Sequence, residues 1–164
     1  MKRMLAFFSA LLMVVQLAGC APWPSSGLKG EFARTLGVDL AGGTTVKEED
    51  THGGFHGDGD TTLILTFVGE ERTALEGEIA QADGWKALPL TENLNRVVYE
   101  ERFGDLCEDV PQDLTDGWYC FLDRHSQAED PADDSGLFGR ASYNFTLAIY
   151  DGESGVLYCY EVDT

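Results

Sequence analysis

The sequence predicts an α+β fold, in which an antiparallel sheet of about five strands carries one or two helices packed on one face. Two observations favour this class. Stretches rich in β-branched and aromatic residues lie on both sides of two helical patterns, and no long stretch alternates single strands with helices. The chain of 164 residues contains no internal repeat, so we expect one domain over residues 30–164.

The first strands of the domain are expected in its N-terminal half. Residues 60–68 combine β-branched and apolar side chains and follow a glycine-rich stretch, which indicates a buried strand. Residues 44–51 are more polar and predict an exposed edge strand that pairs with it. The link between them, residues 52–59, is then a long hairpin loop.

Two helices are expected next along the chain. In residues 70–82, Leu75 and Ile79 are spaced for one apolar stripe, and the acidic residues of the first turn suit the positive end of the helix dipole. Asp83 and Gly84 end this helix. A second, shorter helix is expected to begin at Thr91.

The C-terminal third reads as strands at residues 118–122, 143–150 and 156–162. Residues 151–155 contain glycines that permit the positive φ of a tight turn, so the last two strands form a hairpin. An acidic loop, residues 129–136, is too polar to belong to the core.

The N-terminus has the organisation of a bacterial export signal. Lys2 and Arg3 precede an uncharged apolar run, and the tetrapeptide Leu17-Ala18-Gly19-Cys20 follows it. This tetrapeptide resembles the lipobox of bacterial lipoproteins. The resemblance implies that residues 1–19 are a cleaved signal peptide and that Cys20 carries the lipid.

A lipid on Cys20 implies an extracytoplasmic location. Two or more acyl chains hold a protein firmly to a bilayer, so the membrane is the first predicted partner. Residues 20–29 are then the lipidated cysteine and a flexible tether. The membrane is either the cytoplasmic membrane, at its outer leaflet, or an outer membrane.

Charge limits the other partners. The net charge of −18 at pH 7 repels nucleic acid phosphates and anionic lipid head groups, so binding of nucleic acid is excluded. Cationic peptides and divalent metals remain compatible with such a surface.

Three cysteines follow Cys20, and an exported chain can keep disulfides. Their spacing does not match a zinc motif. We expect a bridge between Cys107 and Cys120. The alternative bridge joins Cys120 to Cys159, because these two residues lie on predicted strands.

Candidate metal ligands cluster in the long hairpin loop and at its end. Imidazole and carboxylate groups suit zinc, and they are supplied by His52, His56, Asp58 and Asp60. Asp123, His125 and Ser126 lie close together near a strand end, but adjacent residues on a strand point to opposite faces, so their closeness in sequence does not make a catalytic relay. No nucleophile elbow, phosphate-binding loop or dinucleotide motif is present, so neither a catalytic residue nor a cofactor is predicted.

Two functions follow from these patterns. The first is a noncatalytic binding module outside the cytoplasm, which holds an envelope protein, a peptide or a glycan on the aromatic C-terminal strands or on the acidic loop. The alternative is a metal-dependent hydrolase that uses His52, His56 and Asp58.

Overall fold

The computed structural model of the chain describes residues 27–53, 57–100, 103 and 105–164. The predicted signal peptide, Cys20 and most of the tether therefore lie outside the described residues. None of the described helices combines the length and the apolar character needed to cross a bilayer.

The described residues form three α-helices and six strands. The helices are α1 (Leu28–Leu36), α2 (Gly69–Ile79) and α3 (Glu92–Tyr99). The strands are β1 (Thr44–Asp50), β2 (Gly59–Thr66), β3 (Trp85–Ala87), β4 (Gly117–Asp123), β5 (Asn144–Asp151) and β6 (Val156–Asp163).

All six strands join one antiparallel sheet in the order β1-β2-β6-β5-β4-β3. The α+β class is thus confirmed, with one strand more than predicted. The extra strand, β3, is three residues long and pairs with the end of β4. Its length explains why no alternating pattern revealed it.

The hairpin of β5 and β6 lies at the centre of the sheet and is confirmed. Its turn is held by the Asp151 carboxylate, which accepts hydrogen bonds from the backbone N–H groups of Glu153 and Ser154. Gly155 closes the turn with φ 72°, a conformation that glycine adopts without strain. Nearly every residue of β5 is buried.

Helices cover both faces of the sheet, which differs from the expected packing on one face. One apolar cluster joins α1 and α2 to Leu63, Leu65 and Leu157, and we call this side the α1/α2 face. The other joins α3, Phe103, Cys107 and Val110 to residues such as Ile149 and Tyr160, and we call it the α3 face. The central strands are apolar on both sides because both sides are buried.

Helix α1 was not predicted. Its Phe32, Ala33 and Leu36 pack on the α1/α2 face, and Gly37 ends it in the left-handed conformation with φ 71°. It begins at Leu28, so the last two residues of the range predicted as tether are helical. The indole of Trp85 donates a hydrogen bond to the Leu36 carbonyl and attaches the helix end to β3.

Helices α2 and α3 occur where the sequence predicted them. Leu75 and Ile79 are the buried residues of α2. The Thr91 hydroxyl caps α3 by accepting a hydrogen bond from the Leu94 N–H at 3.2 Å.

The expected disulfide between Cys107 and Cys120 is wrong. Both thiols are buried and unbridged, and they lie on opposite faces of the sheet. Cys159 shares the α1/α2 face with Cys120, but Ala148 on β5 lies between them, so the two strands are not neighbours. Burial raises the pKa of Cys107 to about 12 and that of Cys120 to about 11, which keeps these thiols protonated and unreactive.

Candidate binding groove

A groove of about 420 Å³ opens on the α3 face, at the edge of the sheet formed by β1 and β2. One wall is the sheet itself, and the opposite wall contains Phe103, Asp105, Leu106 and Glu108. The side chains that define it come from parts of the chain more than forty positions apart, and acids dominate among its charged lining residues. We call this cavity the acidic groove.

The sheet wall depends on a β-bulge in β1. Thr45 pairs with Leu65, and Lys47 pairs with Ile64, so Val46 is an extra residue in the strand. The bulge leaves Val46 without a pairing partner, and this residue is 65% exposed. The bulge also turns the side chains of Lys47 and Glu49 toward the α3 face. With regular pairing after Thr45, the side chains of Val46 and Glu48 would point there instead.

The opposite wall combines an apolar anchor with acids. Phe103 is buried and contacts Tyr143 and Phe145 edge-to-face, with ring centroids 5.0 and 5.6 Å away. Leu106 adds apolar surface, and the lining carboxylates on this wall are Asp105 and Glu108. The wall is therefore packed into the core at Phe103 while its acids face the groove.

The electrostatics of the acidic groove centre on Lys47. Its ammonium donates a hydrogen bond to Asp109 at 2.9 Å, and it lies 3.7 Å from Glu49 and 4.0 Å from Glu108. The hydrogen bond to Asp109 is the largest contribution that raises the pKa of Lys47, so the ammonium stays charged. Asp60 and Glu49 extend the negative lining along the sheet wall.

A buried hydroxyl lies on the same face of the sheet. Tyr160 pairs with Thr62, a groove residue, and the Tyr160 side chain is fully buried on the α3 face. Its hydroxyl has no hydrogen-bond partner among the described residues. Burial raises its pKa, with further contributions from the neighbouring Cys107 and Asp109. The phenol therefore remains protonated.

The predicted metal ligands do not come together. His52 lies on the α1/α2 side, where it contacts Thr61 and Asp163, whereas Asp60 lines the acidic groove on the opposite face. The alternation of a strand separates Asp60 from Thr61 in this way. Asp58 is exposed, and His56 lies outside the described residues. Within the described part of the chain, no three or more His, Cys, Asp or Glu residues are arranged to hold a metal ion.

Both ring nitrogens of His52 face carboxylates. Nδ1 is 2.7 Å from Asp50, and Nε2 is 3.2 Å from Asp163. Burial acts to lower the pKa of His52, but the hydrogen bonds with the two carboxylates outweigh it and the pKa is raised. In its protonated form, the side chain therefore bridges Asp50 of β1 and Asp163 of β6.

Arg124 extends this bridge into an ionic cluster on the α1/α2 face. Its guanidinium lies 2.8 Å from Glu161 and 3.1 Å from Asp163. Burial raises the pKa of Glu161. For Asp163, burial acts in the same direction, but hydrogen bonds from Asn144 and Arg124 outweigh it, and its pKa is lowered. Each of the three acids in this cluster thus contacts Arg124 or His52.

The segment around His125 does not form a catalytic relay. Asp123 is buried and forms a bidentate ion pair with Arg140, so both of its carboxylate oxygens already accept hydrogen bonds from that guanidinium. The backbone N–H of Gln127 donates to His125 Nδ1, which places the proton of the neutral ring on Nε2. Nε2 then donates to Ser142 at 3.1 Å and cannot take a proton from it.

Two other surfaces were also expected to bind partners, and Asp130 and Asp133 of the acidic loop line a second cavity of about 300 Å³. The acids of loop 129–136 bond the chain itself: Asp130 and Asp133 accept from backbone N–H groups, and Asp134 accepts from the Thr91 hydroxyl. Most aromatic residues of the C-terminal strands are buried in the two clusters, whereas Trp118 and Tyr143 are only partly buried against them. The buried ones are Tyr119, Phe121, Phe145, Tyr150, Tyr158 and Tyr160.

Comparisons do not extend this description. The chain matches no model of a protein family, and neither a curated protein nor a solved structure is significantly similar to it.

Proposed function

We propose that the protein is a noncatalytic, lipid-anchored binding module that holds a basic peptide segment of an envelope partner in the acidic groove. The observation that carries this proposal is the groove itself: an open cavity of about 420 Å³ with an apolar anchor and a lining that contains more acids than bases. Clefts of this size with a few convergent polar groups are the usual form of ligand sites.

Charge favours a cationic occupant. Glu49, Asp60, Asp105 and Glu108 line the acidic groove, and Lys47 is the single basic residue among the described lining residues. A basic peptide is attracted by this local field and by the net charge of the chain, and apolar parts of its side chains can contact Phe103 and Leu106.

The hydrolase alternative has less support. It requires His52 to offer a ring nitrogen to a metal, but both nitrogens face carboxylates in the ionic cluster. A catalytic zinc also needs three protein ligands with an open position, and the described candidates are divided between the two faces of the sheet.

Binding can be tested by titrating the full-length chain in detergent with acetylated and amidated tetralysine, followed by calorimetry. The double variant Glu49→Gln and Asp105→Asn should bind at least tenfold more weakly, because two groove carboxylates are lost. The control variant Glu70→Gln and Glu71→Gln makes the same charge change on α2, away from the groove. Equal losses in both variants, or no binding by the unmodified chain, would contradict the proposal.

The anchor is tested separately by Cys20→Ala. We expect this variant to take up no radiolabelled fatty acid and to leave the membrane fraction, since the thiol carries the lipid. The control Cys107→Ala removes a buried thiol and should remain labelled. Labelling that persists in Cys20→Ala would show that the lipobox assignment is wrong.

A further inference from the structure

Lys47 occupies the place in the acidic groove where an external cation would be held best. Its ammonium contacts three carboxylates, of which Glu49 comes from the same strand and Glu108 and Asp109 come from the opposite wall. The bulge at Val46 is what turns this side chain into the groove. The chain therefore supplies one cation to its own cation-binding position.

We infer that Lys47 is an internal competitor that a ligand ammonium displaces, so that the groove is specific for a lysine-type cation. This inference rests on the proposed function and names the chemistry of its ligand. The exchange replaces one ammonium with another, which conserves the charge around Asp109 and its neighbours. A compact ammonium fits this exchange, whereas a planar guanidinium has a different donor geometry.

The contacts of Lys47 allow such an exchange. The Lys47 side chain is 27% exposed and that of Asp109 is 37% exposed, so solvent screens their interaction. Partly exposed ion pairs of this kind contribute little to stability, because attraction is offset by hydration and side-chain entropy. The displaced lysine can extend into water with its long, flexible stem.

The inference is tested by titrating tetralysine, blocked at both ends, into the full-length Lys47→Gln variant in detergent. We expect at least tenfold tighter binding than for the unmodified chain, because the competitor is gone. The control Lys86→Gln removes the same charge at the opposite edge of the sheet, where Lys86 contacts the Ala132 carbonyl, and should change the affinity less than twofold.

The outcomes separate the two proposals. If the unmodified chain binds tetralysine and Lys47→Gln binds no tighter, Lys47 is not a competitor, although the groove function stands. If neither binds, the groove function fails and the inference with it. Binding seen only in Lys47→Gln contradicts both, because the ligand then does not displace Lys47 in the unmodified chain.

A measurement on the unmodified chain covers the case in which Lys47→Gln does not fold. Saturation with tetralysine should change the NMR signal of the Lys47 side-chain nitrogen to that of a solvent-exposed ammonium. Blocked tetraarginine at the same concentration should leave more of the original signal. A Lys47 signal that tetralysine does not alter would overturn the inference.

Discussion

The acidic groove and the ionic cluster lie at the same end of the sheet, on opposite faces, and neighbouring residues of the same strands build both. Thr51 and Asp60 contribute to the groove, whereas His52 and Thr61, the next residue in each case, contribute to the cluster. Strand alternation distributes a polar stretch of sequence between two surfaces.

The two regions differ in charge balance. In the ionic cluster, Arg124 contacts Glu161 and Asp163, and His52 contacts Asp50 and Asp163. Among the described lining residues of the acidic groove, acids outnumber the one lysine. Charges that contact one another support the fold, while an excess of acids along a cavity attracts a cationic ligand. Acidic composition alone does not distinguish the two.

The largest expected effect is on stability, from Arg124→Ala. This change leaves Glu161 and Asp163 without their shared cation, so we expect the free energy of unfolding to fall by about 2 kcal/mol, between the values for buried and exposed pairs. Lys47→Gln should cost only about 0.5 kcal/mol or less. Urea denaturation of both variants measures the difference. Equal losses would remove the distinction between a structural and a binding region.

The pH dependence of stability should come from the cluster. The pKa of His52 is raised in the folded chain, so its contribution is complete below the unfolded value of about 6.5 and is lost as pH rises through the folded pKa. We expect a loss below about 1 kcal/mol, as for other partly exposed pairs.

This loss can be measured by urea denaturation between pH 5.5 and 8.5. His52→Gln should remove it, whereas Lys47→Gln should retain it, because lysine titrates far above this range. If His52→Gln keeps the full pH dependence, the imidazolium bridge is not its source.

The smallest effects concern two buried hydroxyls, one on each face. Thr146 has an unpartnered hydroxyl among the described residues, as Tyr160 has. Thr146→Val and Tyr160→Phe should each leave the unfolding free energy unchanged or raise it by up to about 1 kcal/mol, because an unsatisfied group is removed. Urea denaturation of both variants measures these changes, and a loss above about 1 kcal/mol in either one would show that its hydroxyl is hydrogen-bonded in the folded chain.

Local sequence signals predicted the elements well where one periodicity dominates. The β-branched run of β2 and the glycines of the turn after β5 locate those strands directly. Helix α1 was missed because it is short, follows a segment rich in Pro, Ser and Gly, and contains Gly30, although Phe32 and Leu36 have helical spacing.

The groove could not be predicted by the same means. Its walls come together only in the folded chain, and the facing of Lys47 depends on a bulge at Val46 that an alternating pattern does not reveal. The ligand-rich loop was misleading for a related reason: His52 and Asp60 are close in sequence but lie on different faces. The single signal that could have indicated the groove was the solitary lysine among the acids of β1.

The bulge in β1 also affects how molecules behave beside one another. An unpaired strand edge is a template on which a second sheet can grow, and this sheet has two such edges. At one edge, the irregular backbone at Val46 and the acids Glu48 and Asp50 oppose an incoming strand. At the other, β3 offers only three residues. Crowded copies of this chain should therefore remain separate, which can be followed by light scattering as concentration rises.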